Sequence, residues 1–78
     1  MQVKELINIA KKKEPTLTID HICEQEDQYL LNMLGEDGSP LVNSSVLVIN
    51  KKTKECKWVN TISNFKLVNK PILNEYDV

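Results

Sequence analysis

The chain has 78 residues, 41% hydrophobic and 27% charged, with a formal net charge of −1. This composition excludes a disordered chain and describes one small domain, residues 1–78, with a modest core. A pI of about 5.7 argues against a general nucleic-acid or anionic-membrane binder, which needs a basic surface.

Residues 2–13 read as an amphipathic helix, because Val3, Leu6, Ile7 and Ala10 recur on one helical face. Lys11, Lys12 and Lys13 crowd its last turn, where positive charge suits the helix dipole. Pro15 ends the helix and disfavours helical geometry at Glu14. The lysine triplet therefore reads as a solvated helix end rather than a nucleic-acid contact. The segment also lacks the apolar run of a signal peptide, and no stretch approaches the ~20 apolar residues of a membrane span, so the expectation is cytoplasmic residence.

Leu17–Cys23 alternates, which predicts a first strand with Leu17, Ile19, His21 and Cys23 on one face and Thr18, Asp20 and Ile22 on the other. Glu24–Asp27 is the connecting turn. Gln28–Leu34 is a second strand, apolar on both faces. It should be central, covered by the helix on one side and by the C-terminal tail or a partner on the other. Gly35–Pro40 is a loop.

Ser44–Val59, SSVLVINKKTKECKWV, reads as a hairpin. Ser45–Ile49 is β-branched and aliphatic, Asn50 starts a polar turn, and Cys56–Val59 resumes with Cys56 and Trp58 on one face. Lys54 stands where such a turn favours glycine: positive φ there would cost ~1 kcal/mol, and a shifted or looser turn would avoid that cost. Beyond Val59 the pattern weakens. Ser63 would cap a short helix containing Phe65, Leu67 and Val68, Pro71 would end it, and Ile72, Leu73 and Tyr76 would pack as an irregular tail. The expected fold is α+β: an N-terminal helix packed on a small antiparallel β-meander of three to four strands, with a short C-terminal element.

Charge is unevenly placed. Between Glu14 and Asn50 there is no Lys or Arg, while Glu14, Asp20, Glu24, Glu26, Asp27, Glu36 and Asp37 are acidic. The lysines lie on either side of this block. In a meander the first and third turns share one end, which places Glu24, Glu26 and Asp27 near Lys51, Lys52 and Lys54. Glu36 and Asp37 fall at the other end, where the lysine-rich helix terminus arrives. Each such surface pair is worth ~0–1 kcal/mol, and local neutralisation outweighs an acidic binding face.

No catalytic residue, metal site or cofactor is expected. His21 and Cys23 lie two residues apart on a strand, ~7 Å, which is too far for a nucleophile–base contact. His21, Cys23 and Cys56 lack the paired spacing of structural zinc. Both cysteines read as reduced core residues. Gly35-x-x-Gly38 lacks the Lys-Ser/Thr of a phosphate loop. Tyr29 and Trp58 could form a binding platform, although core packing suits them better.

The run Asp37-Gly38-Ser39-Pro40-Leu41, the strand Val46-Leu47-Val48-Ile49 and the turn Asn50–Glu55 resemble the YrhB-type family of small bacterial domains, which groups with toxin-immunity proteins. That family's turn has the form Asp/Asn-Lys-x-Thr-Gly-Glu, and the chain matches it except at Lys54. The resemblance covers about half the chain. It implies a helix followed by an antiparallel sheet, no catalytic residues, and a protein partner such as a toxin or other antagonised factor. The functional expectation is a small non-enzymatic inhibitor acting by occlusion. Glu24, Glu26, Asp27, Glu36 and Asp37 would steer association, and Tyr29 and Trp58 would anchor it. The alternative is an accessory or phage-encoded module that stabilises a larger assembly. A chain this small is also compatible with a homodimer.

Overall fold

The computed structural model describes residues 2–39 and 45–77. Pro40, Leu41 and Ser44, which belong to the expected loop, family motif and hairpin, lie outside the described residues. The chain folds as α1 (Val3–Lys13), β1 (Thr18–Glu24), β2 (Gln28–Leu34), β3 (Ser45–Asn50), β4 (Cys56–Asn60), α2 (Phe65–Val68) and β5 (Asn74–Asp77). This is the expected α+β arrangement, with one antiparallel sheet in the order β4-β3-β2-β1-β5.

Strands β1 to β4 form the meander. The segment expected to be an irregular tail instead supplies a fifth strand, paired antiparallel with the far edge of β1. Its sequence, Asn-Glu-Tyr-Asp, has little strand propensity of its own. The unpaired backbone groups of the β1 edge recruit it.

The alternation expected along β1 breaks at Asp20. Ile19 pairs with Met33 and His21 with the adjacent Asn32, so Asp20 has no opposite number on β2. This bulge moves every later residue of β1 to the other face. Ile19 and Ile22 therefore point together at α1, while Cys23 joins the opposite face. The expected grouping of Leu17 and Ile19 with Cys23 is corrected accordingly.

The sheet carries apolar side chains on both faces. On one, Leu6 and Ala10 of α1 pack over Ile19, Ile22, Tyr29, Leu31, Met33, Leu47 and Ile49. On the other, Cys23, Leu30, Val46, Val48 and Val59 are covered in part by Leu67 and Val68 of α2. The second cover expected for β2 is thus this short helix. Cys23 and Cys56 sit in different layers, both free, which fits the reading of reduced cysteines.

Two contacts set α1 along the β3–β4 hairpin. Lys54 Nζ lies 2.8 Å from Glu5 Oε2, and Trp58 Nε1 donates to Glu14 Oε1 at 3.0 Å. From Glu5 to Glu14 the helix rises ~13 Å, and from Lys54 to Trp58 the chain advances about the same distance, so both contacts hold together. The hairpin turn is built on Asn50, whose Oδ1 accepts from the amides of Lys52 (2.8 Å) and Thr53 (2.9 Å). Lys54 closes it at φ 62°, so the turn takes the left-handed geometry rather than the shifted or looser alternative.

Candidate binding surface

The β1–β2 and β3–β4 turns share one end of the sheet, and β5 begins there. Glu24, the last residue of β1, gathers these three elements. Its Oε2 accepts from Lys51 Nζ at 2.6 Å, and its Oε1 accepts from Tyr76 Oη at 2.9 Å and Asn74 Nδ2 at 3.1 Å. The Lys51 ammonium, then the Tyr76 and Asn74 donors, hold the Glu24 carboxyl down at about 2. The same carboxylate raises Lys51 and Tyr76. Lys51 also sits over the Tyr29 ring, 5.2 Å from its centroid.

Behind Glu24 lies a buried glutamine pair. Gln25 Nε2 donates to the carbonyls of Val68 (2.7 Å) and Lys70 (3.1 Å). Gln28 Nε2 donates to Gln25 Oε1 (2.7 Å) and to the Leu67 carbonyl (2.8 Å). Gln25 in the first turn and Gln28 at the start of β2 thus meet carbonyls at and just beyond the end of α2, which have no helical partners. This is how a four-residue helix stays docked on the sheet.

Asp27 completes the turn. Its carboxylate pairs with Lys70 at 2.9 Å, and its carbonyl accepts from the Lys51 amide at 3.0 Å. The Lys70 ammonium lowers its pKa. A cleft of about 410 Å³ opens beside it, lined by Glu26, Asp27, Lys70, Pro71 and Leu73. On its other side a smaller cleft of about 230 Å³ runs under Leu67 between the two turns, with Lys57 and Glu55 on its walls. Neither lining includes a histidine or cysteine.

Among the described residues, the large apolar side chains most exposed to solvent are Ile62 (76%), Phe65 (61%), Leu73 (55%) and Ile72 (44%). All follow β4, and Leu73 lines the larger cleft. A polar rim with apolar side chains standing clear of it can grip another surface.

The structure brings Glu24, Glu26 and Asp27 to one end of the molecule and puts Glu36 and Asp37 at the other. Glu24 and Asp27 are both engaged within the chain, leaving Glu26 as the acid of this turn without an ion pair among the described residues. The Asp37 carboxylate accepts from the Ser39 amide at 3.0 Å, which lowers its pKa and closes the loop. The expected neutralisation holds at the first end, in Lys51–Glu24, although Lys70 rather than a hairpin lysine meets Asp27. At the second end no ion pair joins Glu36 or Asp37 to Lys11, Lys12 or Lys13 among the described residues.

Tyr29 is only 4% exposed and belongs to the α1 layer, so it presents no surface to a partner. Trp58 is half-buried against the same layer, with its indole N–H taken by Glu14. His21 bridges Asp20 and Asn32: with the Asn32 amide donating to Nε2 at 2.9 Å, the Nδ1–H donates to Asp20 at 2.9 Å. Desolvation, then the neighbouring Glu75 carboxylate, pushes the Cys23 thiol up, and desolvation does the same at Cys56, so both are poor nucleophiles.

Sequence reasoning missed the glutamine pair and the apolar quartet. The quartet had a signal: Ile62, Phe65, Ile72 and Leu73 are large apolar residues in a stretch with no period to bury them. The glutamines had none, because a turn reading Glu-Gln-Glu-Asp looks uniformly solvated. Comparison with protein-family models, curated proteins and solved structures finds no match.

Proposed function

We propose that the chain is a small protein-binding domain that neutralises a partner by occlusion, the partner being a toxin or another antagonised factor. The observation that carries this reading is the run of exposed large apolar residues after β4, Ile62, Phe65, Ile72 and Leu73, of which Leu73 lines a charged cleft, while the other large apolar side chains among the described residues are at least half-buried. Isolated exposed apolar residues need no explanation, but four within twelve residues of one segment favour a contact surface. The hairpin resemblance points to the same class of partner.

In this reading Phe65 and Leu73 anchor the contact and Glu26 steers it. Glu24, Asp27, Tyr29 and Trp58 build the platform rather than touch the partner. The experiment is a pull-down of the tagged domain from its native host at low and high salt, set against an Ile62→Ser/Phe65→Ser variant. The expected result is one stoichiometric partner, lost in the variant and weakened in Glu26→Lys, with the thermal midpoint of both variants unchanged. Equal capture by the double variant would remove the apolar surface from the interface and with it this proposal.

A further inference from the structure

Residues 69–77 form a terminal arm, and its first part walls the larger cleft. From Glu24 to Asp27, three side chains are engaged within the chain. Glu24 takes Lys51, Tyr76 and Asn74, Gln25 takes the Val68 and Lys70 carbonyls, and Asp27 takes Lys70. Glu26 is the fourth. It is exposed, and it stands in the lining of the 410 Å³ cleft with Asp27, Lys70, Pro71 and Leu73.

The walls are set by bonds within the chain. Gln25 holds the Lys70 carbonyl at 3.1 Å, and the Lys70 ammonium lies 2.9 Å from Asp27 Oδ2. The Leu73 amide donates to the Glu24 carbonyl at 2.7 Å, and the ring of Pro71, between these two anchors, fixes its own φ. The cleft is thus preformed, and its volume lies within the ~300–1,000 Å³ of ordinary ligand sites.

Charge decides what fits it. The lining holds two carboxylates and one ammonium. Lys70 is already matched to Asp27, whose pKa it lowers, so Glu26 leaves the lining with one uncompensated negative charge. An anion would meet both carboxylates against a single engaged lysine. A purely apolar group would strip water from Glu26 and give nothing back. A cationic head on a long apolar stem suits both parts, the head at Glu26 and the stem along Pro71 and Leu73. Arginine suits them better than lysine, because its fork matches a carboxylate and its flat, weakly hydrated face tolerates apolar walls.

We propose that this cleft is a subsite for an arginine side chain of the protein partner. The inference rests on the protein-binding reading above and gives that partner a chemistry: a basic residue presented next to the apolar contact.

The test is an amide NMR titration of the full chain with N-acetyl-arginine amide, its lysine counterpart and its neutral citrulline isostere. The arginine probe should bind with a dissociation constant on the order of 1–10 mM and shift the Glu26, Asp27, Lys70 and Leu73 amides. Citrulline should bind about fivefold more weakly, and lysine should fall between the two. Glu26→Gln should weaken the arginine probe about fivefold with an unchanged thermal midpoint, and Leu73→Ser, which removes an apolar wall, should weaken it several-fold. No saturating shift by ~50 mM overturns the proposal. So do equal binding of citrulline, equal binding by Glu26→Gln, or equal shifts around Glu36 and Asp37, which would show cations gathering at any exposed acid. A partner captured by a chain that ignores the arginine probe overturns this inference and leaves the occlusion reading standing. Arginine binding at the cleft with no partner captured does the reverse.

Discussion

Replacing Gln25 by Leu keeps the volume of a buried side chain and removes three hydrogen bonds, two to the Val68 and Lys70 carbonyls and one from Gln28. The loss is not uniform. The Val68 carbonyl keeps the Lys70 amide at 3.0 Å, and Gln28 keeps the Leu67 carbonyl. At ~1 kcal/mol net per bond the three sum to ~3 kcal/mol, and the added apolar burial of Leu returns part of this, leaving ~2 kcal/mol. A domain of this length has ~4–12 kcal/mol in all, so the change should be plain in a urea titration as a lower midpoint at constant slope. Hydrogen exchange gives the finer readout. The Asn69 and Leu73 amides, bonded to Phe65 and Glu24, should exchange faster than those of β2 and β3, because α2 and the arm come loose before the sheet does. A midpoint change below ~0.5 kcal/mol, or uniform exchange across the chain, would show that the glutamines do not hold this segment.

Two further outcomes follow from the same end of the molecule. The folded Glu24 carboxyl sits at about 2, below its ordinary 4.5, so its contribution to stability is full above pH 4.5 and is lost as pH falls toward 2. Thermal midpoints measured from pH 7 to pH 2 should therefore fall more gently on the acid side in Glu24→Gln than in the parent, and parallel curves would refute the assignment. Lys54→Gly relieves a side chain held at φ 62° and gives up an exposed ion pair with Glu5. With ~1 kcal/mol on the first term and ~0–1 on the second, the variant should be more stable by ~0.5 kcal/mol in urea, and a lower midpoint would mean the ion pair outweighs the strain.

The elements that could be read from the sequence are those whose pattern and environment agree. Val3, Leu6, Ile7 and Ala10 define one helix face, and the helix forms there. The β-branched run Val46–Ile49 with Asn50 behind it forms the hairpin, down to the positive φ at Lys54. The misreadings have a common cause in contacts distant along the chain. The β1 alternation was followed across Asp20 because a bulge leaves no mark in a period of two. β5 looked irregular because its strand character comes from the β1 edge, some fifty residues earlier, rather than from Asn-Glu-Tyr-Asp. The roles of Gln25 and Gln28 left no mark because the carbonyls they meet, Leu67, Val68 and Lys70, lie some forty residues further along the chain. Tyr29 remained open as surface or core because aromatic residues serve both, and only the position of α1 decides it.

The acidic block takes on a different meaning once the bonds are known. An acidic stretch without a lysine invites the idea of a face made for a basic partner, yet at the β1–β2 turn the charge is directed inward. Glu24 takes Lys51, Tyr76 and Asn74, and Asp27 takes Lys70. A carboxylate held by three donors is already complemented, and a partner would have to break those bonds to use it. Such a group stabilises the platform and contributes little to long-range attraction, because its lysine cancels its field beyond a few ångström. In the proposed reading, recognition at this end depends on what the network leaves over: Glu26, and the apolar side chains of the segment that the network holds in place. The polar cluster and the exposed apolar surface are therefore two parts of one arrangement, the first fixing the geometry of the second. Loosening Glu24 or Gln25 should impair any contact made by Phe65 or Leu73 even though neither acid nor amide touches it.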